Sequence, residues 1–102
     1  MKYQLVLQFN ATNIDDFDEI VEIEELVANA LGANHDVDGH DFGSGEMNIY
    51  IHTNEPNEAF EIVKSEVLPS IKAEPKAAYR EITGECYSVL WPEDYSGEFR
   101  VV

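Results

Sequence analysis

Residues 36–53 read DVDGHDFGSGEMNIYIHT, and the way this run folds back on itself decides which side chains meet the interior. Residues 43–45, Gly-Ser-Gly, interrupt two stretches of alternating apolar and polar character, the pattern of a β-hairpin. A three-residue loop of Gly43, Ser44 and Gly45 sets Phe42 opposite Glu46, Asp41 opposite Met47, Gly39 opposite Ile49 and Val37 opposite Ile51. A two-residue loop sets His40 opposite Ile49 and His52 opposite Val37, a poorer apolar match, so the three-residue loop is expected. Gly45 suits the left-handed residue at the end of such a loop. Gly39 then falls on the buried face, where a missing side chain lets a helix approach. Asp41 points the same way and is expected to bond the amides of residues 43–45.

That register gathers Asp36, Asp38, His40, Phe42, Glu46, Asn48, Tyr50 and His52 on the other face of the hairpin, beside Gln4, Val6 and Gln8 of the first strand. The cross-strand neighbours are His40 with Asn48, Asp38 with Tyr50 and Asp36 with His52, at about 5 Å. This is the candidate functional face.

Working outward, Tyr3, Leu5, Leu7 and Phe9 alternate with Gln4, Val6 and Gln8 in a strand with one buried face. Asn13 or Asp15 caps a helix in which Phe17, Ile20, Val21, Ile23, Val27, Ala30 and Leu31 recur at helical spacing, and Gly32 stops it. After the hairpin, Asn54 or Glu55 followed by Pro56 opens a second helix with Phe60, Val63, Val67 and Ile71 on one stripe; Pro69 is expected to end or kink it. A last strand is expected within residues 79–91, with a bulge at Gly84. The order strand, helix, strand, strand, helix, strand predicts an α+β, ferredoxin-like βαββαβ sandwich. Its four-stranded antiparallel sheet has order 4-1-3-2, with both helices on one face and residues 3–9 beside 46–53 at the centre. Residues 1–102 make one such domain, with an extra C-terminal strand through Phe99 and Val101 as a possible addition.

Twenty-one acidic residues against six basic ones give a net charge of −15. Such a field repels phosphate backbones and anionic membranes, so direct binding to nucleic acid or an anionic membrane is not expected, and it attracts basic partners. The acids of the first helix, Asp15, Asp16, Asp18, Glu19, Glu22, Glu24 and Glu25, have no Lys or Arg on that helix to pair with. Those in the first turn suit the helix dipole and the later ones are expected to face water. The single cysteine, Cys86, cannot form an internal disulfide. No apolar run reaches the roughly 18 residues of a membrane span, nor does the start read as a signal peptide, so a cytoplasmic location is expected.

Three chemistries compete for the candidate face. His40 and His52 with nearby carboxylates could ligate a divalent ion, although strand spacing is not diagnostic of a metal site. Either histidine could serve as a general base oriented by Asp38 or Asp36, with Tyr50 as proton donor. Val6, Phe42, Tyr50, His40 and His52 could instead pack on a second copy or another protein. Gly-Ser-Gly in a hairpin lacks the strand-to-helix context of a catalytic serine, which leaves Ser44 a poor nucleophile. A lone Cys86 reads as a small packing residue, and Trp91 with Tyr95 reads as packing at one edge of the core. No sequence feature demands a cofactor.

The run GHDFGSGEMNIYI, with LWP at residues 90–92, resembles a group of small uncharacterised bacterial proteins that carry G-H-D-x-G-S-G-E-M-N and a similar two-helix layout. The resemblance implies the fold and brings no activity, cofactor or catalytic residue with it. The expected function is therefore a small acidic, non-enzymatic binding or regulatory domain that dimerises through its sheet. The alternatives are an immunity-type inhibitor of a basic enzyme and a small metal-dependent or acid–base enzyme using His40 and His52.

Overall fold

A computed structural model describes residues 2–10, 17–43, 45–71, 74–92 and 99. The elements are β1 (Tyr3–Asn10), α1 (Phe17–Leu31), β2 (Asp36–Gly43), β3 (Glu46–Thr53), α2 (Pro56–Glu66), β4 (Lys76–Glu81) and β5 (Ser88–Trp91). The fold is α+β, with two helices and an open five-stranded antiparallel sheet in the order β2-β3-β1-β4-β5. β1 lies at the centre, between β3 and β4, and pairs with β3 from Tyr3↔Thr53 to Asn10↔Glu46. Among the described residues, no helix is long and apolar enough to cross a membrane.

One face of the sheet, carrying Leu5, Leu7, Phe9, Met47, Ile49, Ile51 and Ala77, forms a single apolar cluster with Ile20, Ile23, Val27 and Leu31 of α1 and with Ala59, Phe60, Val63 and Val67 at α2. The i, i+3, i+4 spacing of these helical residues puts them on one side, which is why both helices settle on the same face. α1 ends at Leu31 and turns through Gly32, whose φ of +66° is the left-handed conformation expected of a helix stop. The expected caps Asn13 and Asp15 lie outside the described residues. α2 starts at Pro56 without a side-chain cap. Asn54 is used elsewhere: its Oδ1 accepts from the Lys2 amide at 2.9 Å.

The single strand expected within residues 79–91 is instead two, which makes the sheet five-stranded rather than four-stranded. The chain turns after Glu81, with the Gly84 amide bonded to the Glu81 carbonyl at 2.8 Å. The Arg80 side chain holds that turn, its Nη1 donating to the carbonyls of Glu81, Ile82 and Gly84 at 3.1, 2.8 and 3.1 Å. Gly84 thus belongs to a reversal, not a bulge. The irregularity lies where β5 pairs with β4, between Ala77 and Ala78. The fifth strand described comes from residues 88–91; the extra strand expected through Phe99 and Val101 lies, apart from Phe99, outside the described residues. Phe99 of the tail is buried against Val6 and Ala78 on the helix-free face, and Val101 lies outside the described residues. Trp91 packs against Phe60 (ring centroids 6.2 Å apart) beneath the Lys64 ammonium, 4.4 Å from its ring; Tyr95 is not among the described residues.

Candidate functional site

The hairpin that sets the candidate face threads differently from the three-residue reading. Gly43 pairs with Glu46, leaving only positions 44 and 45 between them. Phe42 then faces Met47, Asp41 faces Asn48, His40 faces Ile49 and Gly39 faces Tyr50. Beyond Gly39 the ladder shifts by one residue, and Val37 pairs with Ile51 and Asp36 with His52 as the apolar matching required. The shift is a β-bulge at Asp38 and Gly39, and Gly39 makes it possible with φ of +150°, a backbone conformation that residues with a Cβ rarely adopt. A Cβ at Gly39 would meet no atom within 4 Å, so its glycine serves the backbone and not the approach of a helix.

The bulge exchanges faces for every residue between it and the tip. His40 and Phe42 leave the helix-free face and lie on the side of α1. His40 Nδ1 sits 2.6 Å from Glu24 Oε2, and its ring meets Phe42 edge-on at 6.2 Å. Glu24, expected to face water, thus has a partner from β2. Phe42 remains 47% exposed, too far toward the tip to be covered. Asp41 moves the opposite way. Its Oδ1 accepts from Asn48 Nδ2 at 3.1 Å and its Oδ2 from the Tyr50 hydroxyl at 2.9 Å, in place of the expected bonds to loop amides.

Asn48 Oδ1 in turn accepts from Gln8 Nε2 at 3.1 Å. A chain of side-chain hydrogen bonds therefore runs across β1, β3 and β2 on the helix-free face, with Asn48 wholly buried and Gln8 nearly so. Buried amides without partners are costly, so the chain satisfies Asn48 and Gln8 and orients the exposed Asp41 carboxylate toward them. Tyr50 is held as a donor. Burial first, then its bond to Asp41 and the nearby charge, push its phenol well above the ordinary range, because ionisation would set a second anion beside the carboxylate. That shift moves Tyr50 away from the neutral range in which a general acid works best.

Asp36, Asp38, Glu46, Asn48, Tyr50 and His52 do share the helix-free face. His52 Nε2 lies 4.0 Å from Asp38 Oδ2, with Asp38 57% exposed, a loose surface pair. The centre of the face is closed by the chain itself: Val6, Ala78 and Phe99 form a small buried cluster with Tyr50, Tyr87 and Val89 against it. Val6 is 0% exposed and presents nothing to a partner.

His40 and His52 lie on opposite sides of the sheet and cannot share one ion or one proton-transfer path. Among the described residues, no group of three or more His, Cys, Asp or Glu side chains is arranged to hold a metal ion. Cys86 is exposed rather than a packing residue; Ser44 lies outside the described residues. The third histidine, absent from the sequence reading, is buried: His35 Nδ1 lies 2.7 Å from Thr53 Oγ1, which also accepts the Glu55 amide at 2.9 Å. A threonine three residues ahead of the Pro56 that opens a helix is a readable signal for the amide bond, whereas nothing local marks the histidine. Compared with known proteins, the chain matches no family description, no curated protein and no solved structure.

Proposed function

We propose that the chain is a small acidic binding domain of ferredoxin-like layout with an added edge strand, that it acts without catalysis, and that it engages a basic protein partner through the β2–β3 half of its helix-free face. The layout is supported by the first four strands, whose order read from β4 is 4-1-3-2. The observation that carries the functional reading is the exposure of Asp36, Asp38 and Asp41 around Tyr50 and His52. Among the described residues, no Lys or Arg forms an ion pair with any of them. Carboxylates held this way accelerate and orient encounter with a cationic surface, and Tyr50 offers an aromatic anchor beside them.

Pairing of two copies through this face is the competing reading. It would bring both sets of carboxylates together in a chain of net charge −15; of the expected anchors Tyr50 and Phe42, Phe42 lies on the other side, and Val6 of the same face is covered. The test is capture at low and high salt with wild type and with an Asp36→Asn/Asp38→Asn variant, alongside sedimentation. The expected result is a basic partner retained by wild type at low salt, lost from the variant and released by salt. A dimer that persists in the variant, with no basic partner, would replace this reading by the homodimer.

A further inference from the structure

On the helix-free face, Tyr50, Val6, Ala78 and Val89 stand in one row across β3, β1, β4 and β5. Val6 pairs with Tyr50 on one side and Ala78 on the other, and Ala78 pairs with Val89. Phe99 packs on this row, only 7% exposed, with its ring centroid 5.0 Å from that of Tyr87. We propose that the hollow under Phe99 is a pocket for an aromatic side chain of the partner, held closed in the free chain by Phe99 as an intramolecular competitor. The inference rests on the reading of this face as a partner-binding surface, and it names the partner's anchor: an aromatic residue beside a basic one.

The pocket is built without its occupant. Val6 and Ala78 form its floor on two paired strands, and Tyr50, Tyr87 and Val89 flank it. Ala78, the smallest side chain of the row, leaves the depth that a ring fills. The main core joins the sheet to both helices, whereas this cluster joins the sheet to Phe99, which belongs to no strand or helix. Withdrawing one ring therefore leaves the packing on the helix side untouched. Residues 92–98 separate Trp91 from Phe99 and span at most about 27 Å when extended. Trp91 pairs with Ala77, next to the Ala78 that Phe99 covers, so the gap is about two strand spacings, roughly 10 Å. A ring on a link longer than its gap competes at an effective concentration in the mM range, which a partner can match. The sequence also gives the chemistry of the occupant, because Phe99 is followed by Arg100. The row ends at Tyr50, whose hydroxyl donates to Asp41, so a residue seated in the pocket brings its neighbours beside the exposed carboxylates. An aromatic ring gains apolar burial and a ring contact with Tyr87 there; a basic side chain alone gains neither.

The test is an NMR titration of the isotope-labelled full chain with the unlabelled peptide acetyl-Ser-Gly-Glu-Phe-Arg-Val-amide, the sequence of residues 96–101. Phe99→Ala should bind it saturably with a Kd on the order of 1 mM, with shifts at Val6, Ala78, Tyr87 and Val89. It should not bind the same peptide with alanine in place of phenylalanine. Wild type should bind about tenfold more weakly, because its own ring competes. As the peptide saturates wild type, the labelled Phe99 ring signals should move to those of a solvent-exposed phenylalanine, which keeps the test decisive if Phe99→Ala does not fold. No binding by Phe99→Ala, equal affinity in the two chains, or Phe99 signals that stay fixed throughout would overturn the proposal. The salt-dependent capture described above tests the basic partner separately. Peptide binding without that capture retains the pocket and removes the basic partner, and capture without peptide binding does the reverse.

Discussion

β1 and β2 flank the same strand, β3, and differ in how they follow it. β1 pairs with it residue for residue over eight positions, so its odd residues all reach the helices and its even ones all reach the opposite face. β2 keeps that order only at Asp36 and Val37, then spends one residue on a bulge and reverses the faces from Gly39 to Gly43. A strand pinned between two neighbours is fixed by its apolar alternation, whereas an edge strand is free to absorb an extra residue. The consequence is chemical: one bulge sends His40 under α1 and Asp41 out to Tyr50.

The largest contrast should appear between two phenylalanines on the same side of the sheet. Phe9 in β1 is wholly buried and Phe42 in β2 is 47% exposed. Phe9→Ala should cost about 3–5 kcal/mol in urea unfolding and Phe42→Ala about 1 kcal/mol or less. Equal costs would break the distinction between a pinned strand and an edge strand. Next in size is the bulge itself. Gly39→Ala, forced to positive φ, should lose about 1–3 kcal/mol although its Cβ meets no neighbour, and heteronuclear spectra should show changes concentrated at residues 37–41 and 48–52. A neutral substitution there would mean that the bulge does not depend on glycine.

The polar half of β2 makes a prediction in pH. Tyr50 in the folded chain has a phenol pKa above its unfolded value near 10. The stability this contributes is fully present below pH 10 and is lost as pH rises through the folded value, because the unfolded chain releases its proton first. The stability advantage of wild type over Tyr50→Phe should therefore be constant through neutral pH. Above pH 10 it should narrow, by at most about 1.4 kcal/mol per pH unit and by less where solvent screens the ring. A gap that widens with alkali would contradict the Asp41 bond. The smallest effect belongs to the other product of the bulge. A double-mutant cycle on Glu24→Gln and His40→Ala should give a coupling of about 0.2–1 kcal/mol at neutral pH, as a partly exposed pair allows.

Much of this arrangement was legible in the residues. The alternation of residues 3–9 and 47–53 marked two strands with one buried face, the element order placed them side by side as the pairing of β1 with β3 bears out, and the stripes Ile20–Leu31 and Phe60–Val67 marked which sides of the helices are buried. The pairing of Val37 with Ile51 also followed from apolar matching. What apolar matching could not supply was the step beyond it, because Asp38 and Gly39 carry no apolar side chain to set a register, and φ at Gly39 leaves no mark other than the glycine. A uniform register carried past that point put His40, Phe42 and Asp41 on the wrong faces. The β4–β5 reversal was hidden for a different reason: Arg80 gathers three carbonyls that lie one, two and four residues ahead, a clamp that no propensity encodes. Closure of the sheet centre by Tyr87 and Phe99 depends on contacts distant in sequence from Val6.

The most direct test of the threading is a set of NOEs from the His40 ring. The bulged register predicts contacts from that ring to Glu24 of α1 and to Phe42, with the Asp41 β-protons near Tyr50. Contacts from the His40 ring to the side chains of Asn48 or Tyr50 would contradict it and return His40 to the helix-free face.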